Sequence, residues 1–263
     1  MEHKEHDKEH EHEHHKEHEA HKKETVKFEM KKERIWQGLS AILGIIIIVM
    51  FFTKSWGSNQ AIPAQGTGAP AQQQQQQGKV NFDIPSFAPF KGSDSAKVNI
   101  IEFGDYQCPF CERFFTQAEP QILKDYVNTG KAKFYFLDFA FLGPDSATLA
   151  EGAWCANEQN KYYDYHDYVY SNQGQENSGW ATPDKVKALV ADIPGLDVQK
   201  FGSCLDSGKY QSRVDDMTSL GQASGVRGTP SVFIGNTKDG YQLLVGAQPY
   251  QAFKQVIDAE LSG

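Results

Sequence analysis

Two cysteines separated by two residues, in Cys108-Pro109-Phe110-Cys111, are the side chains of this 263-residue chain best suited to chemistry. That spacing lets two sulfurs close a small disulfide ring, or lets both bind one metal ion. Just before them, Val98, Ile100, Ile101 and Phe103 are β-formers with almost no polar relief, the pattern of a buried strand. The chain then turns through residues 104–107 and continues as a helix. Pro109 suits its first position, where a missing N–H costs nothing. The pair therefore sits where unpaired backbone N–H groups and the positive end of the helix dipole favour an anion. Since a thiolate is the nucleophile in disulfide exchange, the arrangement predicts redox chemistry. Cys108 is expected as the exposed attacker and Cys111, one turn on, as the shielded resolver. The competing readings are half a zinc site and a structural disulfide. Zinc sites usually need a second C-x-x-C or a Cys/His pair, whereas Cys155 and Cys204 stand alone and far apart.

The flanking elements follow from pattern. Residues 80–89 form a lead-in with apolar Phe82, Ile84 and Phe87. The active-site helix is expected to run to about residue 128, kinked at Pro120, which lacks the N–H for the ladder. Residues 131–139, with Phe134, Tyr135, Phe136 and Leu137, predict a second strand parallel to the first through a right-handed crossover. Residues from about 146 to 220 read as mostly helical, over 147–160, 162–170, 182–191 and 198–207. His166, in a Tyr-rich stretch, is expected to be a satisfied packing residue. Two short apolar runs, 231–234 and 242–245, flank Asp239-Gly240, a strong hairpin signal. A last helix is expected over about 249–261. Pro230 opens the third strand, and a proline there must occupy a strand end or a special turn. The order predicts an α/β protein, a thioredoxin fold with a helical insertion at about 146–220.

Upstream of this domain, at 80–263, three segments differ in composition. Residues 1–34 are rich in His, Glu and Lys and hold eight of the nine histidines. Such a tail cannot bury a core; it reads as a solvated cytoplasmic tail, with weak metal binding as the alternative. Residues 35–52 contain no charge, the lower length for a membrane-spanning helix. Trp36 and Trp56 flank the run, and six Lys/Arg precede it within fifteen residues. A single transmembrane helix is therefore expected, with the N-terminus cytoplasmic and the rest outside; the rival is a cleavable signal peptide. Residues 53–79 form a Gln/Gly/Ala/Pro linker containing six consecutive glutamines. The net charge of −8 resides in residues 80–263, with fifteen Lys+Arg against twenty-three Asp+Glu, which argues against nucleic acid as a partner.

With C-x-x-C and Gly228-Thr229-Pro230-Ser231 both in place, the chain from about Phe82 to Gly263 resembles the DsbA-like branch of the thioredoxin superfamily. The resemblance implies a cis peptide bond at Thr229-Pro230, packed against the cysteines, with backbone that pairs with an extended substrate. It implies that Glu102, six residues before Cys108, is buried beneath the pair and assists proton transfer to or from Cys111, a role that a raised pKa suits. It implies a second, structural disulfide between Cys155 and Cys204; two free buried thiols are the alternative. Phe110 departs from the pattern, since many strong oxidases of the branch carry histidine there; the pair is expected to be less oxidising for it.

The sequence thus predicts a membrane-anchored, extracytoplasmic protein thiol–disulfide oxidoreductase that introduces disulfides into exported proteins. Its working group is the Cys108–Cys111 disulfide, with no metal and no soluble cofactor. The resemblance implies unfolded or exported Cys-containing proteins as substrates and a membrane quinone-linked partner of the DsbB or VKOR type for reoxidation. The rivals are a reductase or isomerase of the same fold, a metal-binding protein using the cysteines and the His-rich tail, and a non-enzymatic binding module.

Overall fold

The computed structural model describes residues 78–263. The tail at 1–34 and the expected anchor at 35–52 lie outside the described residues, as does the linker up to residue 77. Among the described residues, no helix is long and apolar enough to cross a membrane.

A five-stranded mixed sheet, in the order β1-β3-β2-β4-β5, carries the site. Its centre is β2 (Val98–Gly104), all seven residues of which are buried. It pairs in parallel with β3 (Ala132–Asp138) and antiparallel with β4 (Ser231–Asn236). β5 (Gly240–Val245) returns from β4 through the Asp239-Gly240 turn. The edge strand β1 (Phe90–Gly92) pairs antiparallel with β3. Sequence pattern assigns no element here, just past the lead-in at 80–89, because three residues are too few to show alternation.

Side chains on a strand alternate between faces, and β2 uses both. Ile101 and Phe103 join a smaller core with Tyr135, Leu137, Phe233 and Tyr241. Val98 and Ile100 join the larger core, under the active-site helix and the helical block. Glu102 has their parity, so its carboxylate belongs to the larger core's face.

The active-site helix α1 (Pro109–Gln117) stops at Ala118, and α2 (Glu119–Ile122) restarts with Pro120 in its first turn. One kinked helix was expected; the chain instead begins a new helix where proline's missing N–H is harmless. It finishes as a π-helical turn, Leu123–Val127. The helical block spans α3 (Pro144–Asn157), α4 (Tyr162–Ser171), α5 (Pro183–Leu189), α6 (Val198–Ser207) and α7 (Gln211–Ala223). The closing helix is α8 (Tyr250–Ser262). Gly221 lets α7 approach the sheet: a Cβ there would lie 2.6 Å from Phe139 Cδ2 and 3.0 Å from Phe103 Cδ1.

Candidate active site

The turn that delivers the cysteines is built on Asp105. Its Oδ1 accepts from the Gln107 N–H (2.8 Å) and the Ser146 hydroxyl (2.7 Å), and its Oδ2 from the N–H groups of Phe141 (3.0 Å) and Leu142 (3.2 Å). One buried carboxylate thus ties the end of β2 to the start of the helical block. Burial raises its pKa and these four bonds oppose the rise. Gln107 bonds Ser146 and the Asn177 N–H, while the Gln173 amide donates to the carbonyls of Tyr106 (2.8 Å) and Cys108 (3.2 Å). Sequence reading saw only a turn here. An Asp in a short turn before a helix is a recognisable Asx-turn signal, bonding the N–H two residues on, but nothing local points to Gln173.

Cys108 is the N-cap residue of α1, and Pro109 follows at the first helical position. Cys111 is fully buried. Cys108 is 5% exposed, so the expected exposed attacker is largely covered. Its Sγ donates to the Thr229 carbonyl oxygen at 3.3 Å, so the loop before β4 lies over it. The accessible part of the motif is Pro109 and Phe110, the latter 50% exposed. The Thr229-Pro230 peptide is cis.

The two thiols are polarised in opposite directions. The Cys111 thiol hydrogen-bonds Cys108 and is the largest influence bringing its pKa down to about 6; burial opposes this, while Thr229 and the backbone N–H groups of Cys111 and Phe110 assist. The helix terminus contributes, but less than the partner thiol. Cys111 is pushed well above the ordinary thiol range by burial, then by Cys108 and Glu102.

Glu102 is 1% exposed. Burial holds its carboxyl well above the usual range, with Glu119 and Cys108 adding to the rise and the Cys111 side chain opposing it. The neighbouring Gly104 is required by crowding: a Cβ there would collide with the Phe136 ring and lie 3.1 Å from Glu102 Oε1.

Cys155 on α3 and Cys204 on α6 are bonded, with Cα atoms 5.7 Å apart. His166 on α4 is fully buried, ringed by Tyr106, Phe115, Phe136, Tyr163 and Tyr170. It packs, but it is not fully satisfied, since its Nε2 has no hydrogen-bond partner. Sequence reading also passed over Glu119, fully buried at the start of α2. Among the described residues, Glu102, Glu119 and His166 are the set whose ligand atoms gather closely enough to hold a metal ion, and that set includes neither active-site sulfur.

Known proteins share this architecture. The family model described as Thioredoxin matches residues 86–259. The disulfide bond formation protein D of Bacillus subtilis (strain 168) is 28% identical over 178 residues, 66% of this chain and 78% of that protein. A probable disulfide bond formation protein D from Bacillus cereus is 30% identical over 173 residues, 65% of this chain and 77% of that one. The crystal structure of oxidised BdbD from Bacillus subtilis aligns with a TM-score of 0.63 at 27% identity, covering 71% of this chain and all of that one. Wolbachia pipientis alpha-DsbA1 aligns with a TM-score of 0.61 at 21% identity, over 68% of this chain and 93% of that one, a likeness of fold.

Proposed function

We infer, from the premise that the chain belongs to the thioredoxin family and is a protein thiol–disulfide oxidoreductase of the DsbA-like kind, that it donates the Cys108–Cys111 disulfide to exported proteins outside a membrane. The carrying observation is the opposite polarisation of the two thiols, with Cys108 brought down to about 6 and Cys111 raised by burial. A thiolate that is stable at neutral pH is a good leaving group and favours the reduced form of the pair, which makes the oxidised form a disulfide donor.

The steps balance as follows. A substrate thiolate attacks Cys108 Sγ, the Sγ–Sγ bond breaks, and Cys111 leaves as a thiolate that takes up a proton. A second substrate thiolate then attacks the substrate sulfur of the mixed disulfide, and Cys108 leaves as its thiolate. Two electrons have passed from the substrate dithiol to the pair. Attack at Cys108 rather than Cys111 is consistent with their burial. The Thr229 backbone beside Cys108 is the natural strand-like partner for an extended peptide. No soluble cofactor is required, and a membrane quinone-linked reoxidase returns the pair to the disulfide. Anchoring rests on the uncharged run at 35–52 and the basic residues before it.

Equilibrating the full-length chain with glutathione measures the pair's reduction potential. A value near about −120 mV supports disulfide donation, whereas one near about −270 mV makes the protein a reductase. Protease shaving of intact cells tests the orientation: residues 78–263 are expected to be digested from outside.

A further inference from the structure

We propose that Glu102, Glu119 and His166 form a buried proton relay that connects the resolving thiol of Cys111 to solvent at Asp167. The proposal rests on the exchange reading above and adds residues from the helical block to the reaction.

One ligand atom from each of the three side chains lies within 4.8 Å of the other two. All three residues are 99% buried or more, and they come from three elements: β2, α2 and α4. Glu102 Oε1, both Glu119 oxygens and His166 Nε2 have no hydrogen-bond partner. Four unpaired polar atoms gathered inside a core are costly unless they share protons among themselves.

At one end of the cluster Glu102 shares the face of β2 that packs in the same core as Cys111, and the Cys111 side chain opposes the rise in the Glu102 pKa. At the other, His166 Nδ1 lies 2.8 Å from Asp167 Oδ1. The Asp167 side chain is 46% exposed. Burial raises the Asp167 pKa, but His166 and Lys91 outweigh burial and hold the carboxyl below the ordinary range. An ionised carboxylate only accepts, so Nδ1 carries the hydrogen of this bond, and Nε2 is the ring nitrogen left for the two glutamates. Titratable groups therefore follow one another from the sulfur to the surface, Cys111, Glu102, Glu119 with His166, then Asp167, and side-chain shifts inside the 4.8 Å cluster are what a proton transfer along them requires.

The other titratable groups facing the cluster leave it this role. Lys91, from β1, lies 3.6 Å from Glu119 Oε1 and 3.1 Å from Asp167 Oδ1. Its ammonium already supplies the positive charge that a metal ion would bring. Burial pushes the Tyr163 and Tyr170 hydroxyls well above the ordinary range, so they stay protonated. Cys108, brought down to about 6, adds to the rise in Glu102. In Glu102 and Glu119 burial is the largest influence and favours the protonated acid.

When the pair closes, Cys111 passes its proton to the cluster through Glu102, and a proton leaves at Asp167. The Cys111 thiolate attacks Cys108 Sγ, and the group bound to Cys108 departs with the electron pair of the broken S–S bond. When the pair is opened by a substrate, the proton runs the other way.

The test is the reaction of the reduced full-length chain with oxidised glutathione, quenched in acid and read by mass. Formation of the mixed disulfide reports Cys108, and its closure reports Cys111. Glu119→Gln, nearly isosteric, and His166→Gln are each expected to slow closure about tenfold at pH 7 and to change its pH profile. Formation, and the titration midpoint of Cys108, are expected to stay unchanged. Asp167→Asn, half-exposed and tolerant of change, should slow closure in the same direction. Unchanged closure rates and pH profiles in Glu119→Gln and Asp167→Asn overturn the relay, and so does equal slowing of both steps, the mark of a structural role. One equivalent of zinc in the reduced parent chain, lost in His166→Gln, also overturns it in favour of a metal site. A parent chain that forms no mixed disulfide fails earlier, at the exchange reading itself.

Discussion

Cys108 draws its acidity from three sources that substitutions can separate: the Cys111 thiol, the Thr229 side chain and the α1 backbone. Alkylation by iodoacetamide, followed against pH, should show a midpoint near 6 for Cys108. In a Cys111→Ser variant the midpoint should move upward, because a hydroxyl there is a different donor at a different distance. A midpoint at the ordinary thiol value of about 8.5 in the parent chain would remove the basis for disulfide donation. Phe110 offers a second residue-level test. Its ring is half exposed and carries the Arg113 guanidinium 4.9 Å from its centroid, so it offers surface but no polar contact to either sulfur. Phe110→His adds a cationic side chain beside a forming thiolate. It should raise the reduction potential by about 30 mV, a tenfold change in the equilibrium constant. A potential that falls or stays fixed would show that this position does not set the redox strength. The cysteines and the Thr-Pro pair were legible in the sequence because each is a short local motif. Asp105 and Gln173 were not, because their bonds reach across 36 to 67 residues.

Where elements meet, one buried polar joint is Asp138 at the end of β3 accepting from Trp154 Nε1 of α3 at 2.8 Å. Burial pushes Asp138 up to about 7, with the Trp154 bond opposing the rise. Its folded pKa thus lies above the unfolded one. The folded state holds a proton that the unfolded state has lost between about pH 4 and pH 7, so stability falls as pH rises through that window. The full penalty, above the folded pKa, is on the order of 4 kcal/mol. Asp138→Asn keeps an acceptor for Trp154 and never ionises. Thermal melts should show the variant more stable than the parent at pH 8, with the gap closing towards pH 4. A gap that is independent of pH would mean that Asp138 has the same pKa in the folded chain as in the unfolded one. The α7–sheet joint is steric instead. Gly221→Ala pushes a methyl into Phe139 and Phe103, and overpacking of this kind costs about 1–3 kcal/mol. Element order was readable because buried strands and proline-started helices leave local marks. The break before Pro120 was harder to read, since a proline within an apolar helical pattern fits a kink or a restart equally well until packing decides.

At the scale of the whole domain, the sheet with its helical block was legible, while the polar interior was not. Lys91, Glu102, Glu119 and His166 come from β1, β2, α2 and α4, spread in sequence from residue 91 to residue 166. A histidine among tyrosines looks like packing until the fold brings two carboxylates to it. The Cys155–Cys204 bridge acts on this larger scale as well, since it fastens α3 to α6 across a sequence separation of 49. Such a link removes loop entropy from the unfolded chain, and for this separation the chain-entropy model assigns roughly 4 kcal/mol. Against a typical total of about 5–15 kcal/mol, that is a large share. The loop it closes lies within the helical block, apart from α1 and the Thr229-Pro230 loop. Replacing both cysteines by alanine should therefore lower the midpoint of denaturant unfolding strongly while leaving the Cys108–Cys111 potential where it was. Equal midpoints would mean that the unfolded chain is already constrained. A shifted potential would mean that the helical block transmits its packing to the active site, through the same α4 that carries His166.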